Sequence, residues 1–239
     1  MRDLSLDYFV LSETKLDDSF PFAQFSINEY EIRARRDRNK FGGGLIEFVK
    51  RGLICKRKKE LEPKQSECLC SELTLSKKKW LIFSIYRPPD YGNLSMFFHE
   101  LSFSLDKASE IYENIIIMGD FNIDVKTKGM GFDKLDEFCD IFNLTNLITS
   151  DTCITKTSSS LIDLYLTNKP LSFQKSQVTE TGLSDFHKLV TVFFKCNYSR
   201  LKPKVVTYRN YKKFDEQEFL NDLNSLNVSL KPDDPNQNY

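Results

Sequence analysis

Short apolar runs separated by polar turns recur along this chain of 239 residues. Ile115–Met118 is apolar at every position, which is typical of a strand buried on both faces. Leu69–Leu75 instead has an apolar or small residue at every second position. Seven candidate strands predict one large sheet or two packed sheets, and they are Tyr8–Leu11, Leu45–Val49, Leu69–Leu75, Trp80–Tyr86, Ile115–Met118, Leu161–Leu166 and Leu189–Phe194.

Helical patterns alternate with these strands, so the predicted class is α/β with helices covering the sheets. Ser95 is expected to cap one helix, and Asp133 to open a second. From about residue 199 the sequence turns polar, and Asp215 with Glu218 forms a capping-box pattern ahead of another amphipathic helix. We therefore predict a domain over residues 1–197 and a polar linker with one amphipathic helix over residues 198–239.

The most informative local motif is Gly119-Asp120-Phe121-Asn122, which directly follows an apolar strand. The carboxyl end of such a strand is where open α/β sheets usually place their chemistry. Asp120 and Asn122 are two residues apart, so both side chains of an extended segment point the same way. Together they can orient a water molecule and bind a phosphoryl oxygen; an ordinary Asp/Asn turn is the alternative.

Further acids stand at or near other strand ends. Glu13 follows an apolar run, Asp163 lies inside another, and Asp185 precedes His187 by two positions. Burying the charge of Asp163 is costly unless the carboxylate is paired. We therefore expect Asp163 to accept a hydrogen bond from His187, which would also fix the tautomer of the imidazole. Tyr86 ends a further strand and can donate its hydroxyl to a phosphate; an interface tyrosine is the alternative.

These side chains support the hydrolysis of a phosphodiester. Mg²⁺ prefers oxygen ligands and takes only one or two protein carboxylates, so Glu13 and Asp185 would suffice to hold it. Asp120 would orient or deprotonate the attacking water, and Asn122 would hold the scissile phosphate. His187 would stabilise the charge that develops on the phosphoryl oxygens.

Charge is balanced overall, with 34 basic and 34 acidic residues, but it is unevenly distributed. Residues 31–59 contain 11 Lys or Arg and 3 acids, a local excess of +8. Such a patch can neutralise a phosphate backbone; a solvated basic face is the alternative. The residues predicted to bind nucleic acid are Arg33, Arg35, Arg36, Arg38, Lys40 and Arg87.

Several other classes are disfavoured. Six cysteines without a Cys-x-x-Cys pair, and only two histidines, predict reduced thiols and argue against a zinc site. No stretch approaches about 18 consecutive apolar residues, and the first residues lack a signal-peptide pattern. We therefore expect an intracellular protein of the nucleus or cytoplasm with no membrane partner. Gly42-Gly43-Gly44 lacks the Lys-Ser/Thr ending of a P-loop and predicts a turn, with a phosphate cradle as the alternative.

Six of these motifs occur in an order that resembles one enzyme superfamily. They are Ser12-Glu13-Thr14-Lys15-Leu16, Gly42-Gly43-Gly44-Leu45, Tyr86-Arg87-Pro88-Pro89, Gly119-Asp120-Phe121-Asn122, Ser160-Leu161-Ile162-Asp163 and Leu183-Ser184-Asp185-Phe186-His187. This order resembles the endonuclease/exonuclease/phosphatase superfamily, and most of all the endonuclease domain of non-LTR retrotransposons, the long interspersed elements. The resemblance covers about residues 1–197.

The resemblance implies a four-layer α/β/β/α sandwich of two packed mixed sheets. It also implies a Mg²⁺-dependent endonuclease, with Mn²⁺ as the alternative metal, which nicks DNA so that an associated reverse transcriptase can prime on the exposed 3′ end. In that family pattern Glu13 matches the metal ligand, Tyr86 the phosphate-contacting tyrosine, and Asp163 the acid behind the histidine. The segment after residue 197 resembles the connector toward the polymerase.

Two departures from the family pattern lead to further expectations. Family members carry an Asn on a strand ahead of the metal-binding Glu, but no Asn precedes Glu13 here, so we expect that first strand to be missing. Phe186 separates Asp185 from His187, which are more often adjacent in the family. In a loop the additional residue can bulge outward, so His187 stays the catalytic candidate.

Two other functions stay open at the level of sequence. The chain can be a truncated, inactive relic of a retrotransposon that binds nucleic acid through its basic patch without cleaving it. It can also be a phosphoesterase for an inositol phosphate or phospholipid, as in other branches of the superfamily, although no lipid-binding module is recognisable. Plasmid DNA and a phosphoinositide would distinguish these substrates directly.

Overall fold

The apolar runs of the sequence form the strands of the computed structural model, which describes residues 6–89, 94–195 and 214–226. The chain divides into two compact units, Met1–Leu201 and Lys202–Tyr239. The strands are β1 Tyr8–Ser12, β2 Tyr30–Arg36, β3 Leu45–Lys50, β4 Cys55–Arg57, β5 Glu67–Leu75, β6 Lys78–Tyr86, β7 Ile115–Asp120, β8 Thr145–Asn146, β9 Cys153–Ile154, β10 Ser159–Ser160, β11 Asp163–Thr167, β12 Phe173–Thr179 and β13 Leu189–Phe194. The helices are α1 Leu94–Ser109, α2 Met130–Ile141 and α3 Glu216–Ser225.

A six-stranded sheet forms the centre of the first unit, in the order β4-β5-β6-β7-β11-β8. Strands β6 and β7 are parallel, and the other neighbours in this sheet are antiparallel. A parallel pair needs a crossover connection, and helix α1 lies in the segment that joins β6 to β7. Strands β1, β3 and β2 form a smaller antiparallel sheet in that order, and β9–β10 and β12–β13 form two hairpins.

Alternating side chains of β6 define the layers of the first unit. Leu81, Phe83 and Ile85 belong to the core that includes the apolar residues of α1 and α2. Trp80 and Ile82 belong to a second core, shared with strand β3 and with the β12–β13 hairpin. Because successive side chains of a strand point to opposite faces, the helices cover one face of the central sheet and the smaller sheets cover the other.

A further layer covers the outer face of the smaller sheet. Phe9, Ile46 and Phe48 form its core, and Phe25 and Tyr30 pack against them. Phe25 ends a short 3-10 helix that begins at Phe22. The predicted class, an α/β sandwich of packed sheets, is therefore confirmed, and in the described residues this outer layer is a 3-10 helix with its flanking loops. The expectation of a missing first strand stays a prediction.

The helix boundaries differ in part from those expected. Helix α2 begins at Met130, one turn before Asp133, because Gly129 rather than an acid occupies the N-cap position. Ser95 lies inside α1, which is described from Leu94 onward. The cap of α3 is confirmed: Asp215 accepts hydrogen bonds from the backbone N–H groups of residues 217 and 218 at 2.9 and 3.0 Å.

Two expectations about composition can be compared with the structure. Cys55, Cys68, Cys70, Cys139 and Cys153 are free thiols, while Cys196 lies outside the described residues. Among the helices of the described ranges, none has the length and hydropathy needed to cross a bilayer.

Candidate active site

Three neighbouring strands place the chemistry-bearing side chains in one row. Tyr86 is the last residue of β6, Asp120 is the last residue of β7, and Asp163 is the first residue of β11. The strand register pairs Tyr86 with Asp120, and Asp120 with Asp163. Paired residues present their side chains on the same face of a sheet, so these three side chains are neighbours.

The turn after β7 depends on Gly119 and Asn122. Gly119 has φ +136°, and a Cβ atom there would overlap the carbonyl oxygen of Ile85, so only glycine fits. Asn122 has φ +48°, a left-handed conformation that asparagine tolerates better than most residues. The strand can therefore end abruptly, and the side chain of Asn122 turns back onto Asp120.

Both oxygens of the Asp120 carboxylate accept hydrogen bonds from Asn122. The backbone N–H of Asn122 donates to Oδ1 at 2.9 Å, and its Nδ2 donates to Oδ2 at 3.0 Å. The same Nδ2 also donates to the carbonyl oxygen of Arg87 at 2.8 Å. Because the two amide hydrogens have protein acceptors, Asn122 orients Asp120 in this structure; its contact with a phosphate stays a prediction.

Asp120 is buried, and its protonation equilibrium differs from that of an ordinary aspartate. Burial raises the pKa of Asp120 to about 7, with a further increase from the nearby Asp163 carboxylate, while the hydrogen bond from the Asn122 backbone opposes the change. A carboxyl group with a pKa near neutrality can accept a proton under ordinary working conditions. Its environment therefore suits Asp120 for general-base chemistry.

His187 and Asp163 form the expected pair. Nδ1 of His187 donates to Oδ2 of Asp163 at 3.0 Å, which leaves Nε2 as the nitrogen available for other contacts. This hydrogen bond raises the pKa of His187, although partial burial acts in the opposite direction. The imidazole is thus held in one orientation and favours its protonated form.

The additional residue before His187 bulges outward, as expected. Phe186 lies in a bend, and its side chain is 52% exposed. Its carbonyl oxygen accepts from the backbone N–H of Ile154 at 2.9 Å, which ties this loop to β9. Cys153 of β9 forms a β-bridge with His187 itself. His187 therefore reaches Asp163 although Phe186 separates it from Asp185.

Thr152 supports this pair and was missed by sequence reasoning. It is fully buried, and its hydroxyl accepts from the backbone N–H of Asp163 at 2.9 Å and of Ile162 at 3.2 Å. Its carbonyl oxygen accepts from the N–H of Lys188 at 2.8 Å. A single threonine in a polar segment has no distinguishing pattern, so only the fold reveals that it joins the segments of Asp163 and His187.

Glu13 lies next to Tyr86. The hydroxyl of Tyr86 donates a hydrogen bond to Oε1 of Glu13. Glu13 is exposed and has φ +53°, so the chain after β1 makes a sharp turn at this carboxylate. Tyr86 is buried, and burial together with the charge of Glu13 raises the pKa of its phenol.

Asp120, Asp163 and His187 form a group that could hold a metal ion. Each offers one ligand atom, and these atoms lie within 4.8 Å of one another. Glu13 is close enough for its charge to act on both Asp120 and His187. A set dominated by carboxylate oxygens suits a hard divalent cation, and such a cation would offset the repulsion that raises the pKa of Asp120.

Asp185 occupies a different environment from the other predicted site residues. It is exposed in the loop before β13 and does not belong to the metal-capable group found in residues 6–89, 94–195 and 214–226. The structure thus brings Glu13, Tyr86, Asp120, Asp163 and His187 together. The role of Asp185 as a metal ligand stays a prediction.

The predicted basic patch is largely committed to partners within the protein. Arg33 pairs with Glu31 at 2.6 Å, and Arg36 donates to the carbonyl oxygens of Pro63, Lys64 and Cys68. Arg38 pairs with Glu67 at 2.9 Å. Lys40 is exposed beside the ring of Phe41.

Two of the predicted DNA-binding arginines are buried rather than displayed. Arg35 is 8% exposed and donates to both carboxylate oxygens of Asp37. Arg87 is also 8% exposed, and its guanidinium donates to the carbonyl oxygens of Phe121 and Asn122 at 3.2 and 3.4 Å. Their guanidinium groups support loops of this domain, in contrast to the exposed patch expected from the sequence.

Known proteins share part of this sequence and its fold. Residues 80–191 match the family model described as endonuclease-reverse transcriptase. Curated proteins give no match. Among solved structures, the endonuclease domain of TRAS1, a telomere-specific non-LTR retrotransposon, is similar with 13% identity and a TM-score of 0.60; the match covers 72% of this chain and 83% of that domain.

A bacterial and an animal structure share the same fold. The 3′-5′ exonuclease NExo from Neisseria meningitidis has 16% identity and a TM-score of 0.63, over 81% of this chain and 91% of that one. Truncated TDP2 from Caenorhabditis elegans has 12% identity and a TM-score of 0.55, over 80% and 86%. The family match over residues 80–191 and the shared fold show that this chain has the fold of these nucleases and that part of it is similar to endonuclease-reverse transcriptases.

Proposed function

We propose that this chain is a Mg²⁺-dependent endonuclease that nicks DNA. One observation carries the proposal: Tyr86, Asp120 and Asp163 lie side by side at three strand ends, with His187 bonded to Asp163 and Glu13 bonded to Tyr86. This row supplies a general base in Asp120, a cationic hydrogen-bond donor in His187, and carboxylate ligands for a metal ion. The fold that holds them is shared with nucleases and phosphodiesterases.

Asp120 is the proposed base for the attacking water. Its carboxylate is fixed by two hydrogen bonds from Asn122, so its orientation toward an attacking water molecule is held constant. A pKa of about 7 allows it to accept the water proton at neutral pH while remaining largely available as the ionised form in weakly alkaline solution.

His187 and Tyr86 are the proposed donors to the phosphate. The Asp163 carboxylate holds Nδ1, so Nε2–H of the imidazolium can donate to a phosphoryl oxygen on which negative charge develops. Tyr86 donates to Glu13 in this structure and can offer the same hydroxyl to a neighbouring phosphoryl oxygen. Asn122 would contact the phosphate by exchanging one of its two amide hydrogen bonds.

Glu13, together with the carboxylate of Asp163, would offer oxygen ligands for Mg²⁺, with Mn²⁺ as the alternative. Asp185 would join this set if its exposed loop closed over the site. When bound, the cation would neutralise charge on the phosphate and lower the barrier to displacement. The protein's own part is to hold these oxygens at fixed positions, through the strand register and the turn that ends at Asn122.

DNA is the proposed substrate, and a reverse transcriptase domain in the parent element is the proposed partner. The family match to endonuclease-reverse transcriptases and the likeness to the TRAS1 endonuclease domain support this choice. Lys40 is an exposed member of the predicted basic patch beside the glycine-rich turn, and it is proposed to contact the DNA backbone.

The test is nicking of supercoiled plasmid DNA by the full chain with Mg²⁺ and with EDTA. Wild type is expected to convert plasmid to the open circle only with Mg²⁺. Asp120→Asn and His187→Ala are expected to lower the rate at least about 100-fold, because each loses a group that moves a proton or stabilises charge.

Matched controls are available for both substitutions. His99→Ala removes the other histidine, which is exposed on α1, and Asp136→Asn neutralises an exposed acid on α2; both are expected to nick at the wild-type rate. Salt-sensitive DNA binding without any nicking would refute an active nuclease and favour the inactive relic. Release of phosphate from a phosphoinositide, with plasmid left intact, would instead assign a different substrate.

A further inference from the structure

The glycine turn, residues 42–44, lies between β2 and β3 and is enclosed by side chains. Gly43 and Gly44 have φ values of +70° and +94°. A Cβ atom at Gly43 would lie 2.5 Å from Nε of Arg38 and 2.6 Å from Oε1 of Glu67, and one at Gly44 would overlap the hydroxyl of Thr14. The backbone conformation therefore favours glycine, and a side chain here would also displace the ends of Arg38, Glu67 or Thr14.

An ion pair forms one side of this enclosure. A guanidinium nitrogen of Arg38 lies 2.9 Å from Oε1 of Glu67, and Nε of Arg38 donates to the carbonyl oxygen of Gly42 at 3.0 Å. Oε2 of Glu67 accepts from the backbone N–H of Gly44 at 2.6 Å. The Glu67 side chain is only 10% exposed, so the pair is partly shielded from water. The pair thus fixes both ends of the glycine turn.

The other side of the glycine turn holds the segment of Glu13. The backbone N–H of Lys15 donates to the carbonyl oxygen of Gly43 at 2.9 Å, and that of Thr14 to the carbonyl oxygen of Gly44 at 3.4 Å. Glu13 and Lys15 have φ values of +53° and +54°. Non-glycine residues adopt this conformation at a cost of about 1 kcal/mol or more, so it persists only where neighbours enforce it.

The ion pair also lies against Tyr86. Glu67 is the strand partner of Tyr86 in the β5–β6 pairing. The guanidinium carbon of Arg38 is 5.9 Å from the centre of the Tyr86 ring, within the range of a cation–π contact. Tyr86 in turn donates its hydroxyl to Glu13. The ion pair therefore contacts Tyr86 directly, and it acts on the segment of Glu13 through the glycine turn.

We infer that Arg38, Glu67 and the glycine turn position the Glu13 carboxylate for a divalent cation. This inference rests on the proposed function and gives Arg38 and Glu67 positioning roles behind Glu13. It also explains the glycine-rich motif as a support for an acidic ligand, in place of a phosphate cradle.

The test measures binding of Mn²⁺ by the full chain, through loss of the electron paramagnetic resonance signal of the free ion. Glu67→Gln and Arg38→Gln are both expected to weaken Mn²⁺ binding about 10-fold, the lower end of the effect usual for residues that orient a ligand. A purely electrostatic effect would act in opposite directions in the two variants. Loss of the Glu67 charge would weaken Mn²⁺ binding, whereas loss of the Arg38 charge would strengthen it. Unchanged or tighter binding by Arg38→Gln would overturn the inference.

Two further variants separate positioning from folding. Arg38→Lys keeps the charge but loses the planar guanidinium that contacts Glu67 and Gly42, so it is also expected to bind Mn²⁺ more weakly than wild type. Glu62→Gln is the matched control. Like Glu67, Glu62 pairs with an arginine, Arg57, has a side chain that is 9% exposed, and accepts a hydrogen bond from a backbone N–H, that of Cys70.

The outcomes distinguish this inference from the proposed function. The positioning role is supported if Glu62→Gln binds Mn²⁺ as tightly as wild type does while Glu67→Gln and Arg38→Lys bind it more weakly. Equal weakening in Glu62→Gln and Glu67→Gln would assign the effect to general destabilisation and overturn it. If wild type itself fails to bind Mn²⁺, the proposed metal-dependent function fails together with the inference.

Discussion

Replacing Asp120 by Asn tests the electrostatics of the site through the stability of the whole domain. Burial and the neighbouring Asp163 raise the pKa of Asp120 from 3.8 to about 7. The folded state therefore holds this proton more tightly than the unfolded chain does. The resulting stabilisation is complete below about pH 4 and is lost as the pH rises through about 7. The amide that replaces the carboxyl group in Asp120→Asn cannot ionise, so the variant should not show this loss of stability.

The expected magnitude follows from the pKa and the hydrogen bonds. A rise of about 3 pH units, at about 1.36 kcal/mol for each, makes ionisation of Asp120 cost about 4 kcal/mol of stability. In the variant one carboxylate oxygen becomes an NH₂ group that cannot accept from Nδ2 of Asn122, a loss of about 1 kcal/mol. The variant should be less stable than wild type by about 1 kcal/mol at about pH 3 and more stable by about 3 kcal/mol at about pH 9.

Urea unfolding at several pH values, with EDTA present, measures this difference. Trp80 is the only tryptophan of the chain and is buried in the core, so its fluorescence reports the unfolding transition. The curves of stability against pH for wild type and variant should cross at about pH 4.5. Added Mg²⁺ should restore the stability of wild type at high pH far more than that of the variant, because a cation favours the ionised form.

Asp136→Asn provides the control for this experiment. Asp136 is exposed on α2, so its neutralisation should change stability by no more than about 0.5 kcal/mol at any pH. A pH-independent difference between Asp120→Asn and wild type, or a variant less stable at every pH, would refute the reasoning. Either result would mean that Asp120 does not resist ionisation in the folded protein.

Other predictions concern the residues around Asp120. Gly119→Ala should destabilise the domain by at least about 3 kcal/mol in urea unfolding, because its Cβ would overlap a backbone carbonyl, whereas Gly131→Ala in α2 should be neutral or stabilising. Asp163→Asn should lower the pKa of His187, followed by the NMR shift of its ring protons, and an unchanged titration would contradict the pairing. Tyr86→Phe should reduce the plasmid-nicking rate about 100-fold while leaving the fold intact by circular dichroism, and wild-type nicking would exclude Tyr86 as a donor.

Hydrophobic patterning predicted the strands that carry the core but not those that carry charge. Trp80–Tyr86 and Ile115–Met118 are buried runs, and both are strands of the central sheet. The arginines of Tyr30–Arg36 interrupt the apolar pattern, so the sequence there indicates a basic patch rather than a strand. In the fold Arg35 is buried through its contacts with Asp37 and with backbone carbonyl oxygens. Strand β12 was missed for a similar reason, since most of its residues are polar.

The candidate site was predictable where a residue type has few alternatives. Pairing of Asp163 with His187 followed from the cost of a buried charge, and the structure contains that bond. The partnership of Arg38 with Glu67 was not predictable, because it joins a loop to a strand from a distant part of the sequence. A charge count predicts a basic surface, but it cannot show which Lys and Arg side chains form ion pairs with acids that the fold brings close.

The chemistry of the Gly119-Asp120-Phe121-Asn122 motif is set by its neighbours rather than by the motif itself. The hydrogen bond that the motif makes to Asp120 lowers the pKa, whereas burial under the adjoining strands and the charge of Asp163 raise it. Asp163 acts on Asp120 because β7 and β11 pair these two residues directly. A slip of one residue between the strands would turn Asp163 to the opposite face and leave Asp120 closer to an ordinary, ionised carboxylate. The motif therefore indicates a near-neutral base only in a chain that preserves this register, and the register depends on the side chains of β7 and β11 that pack into the core beneath the site.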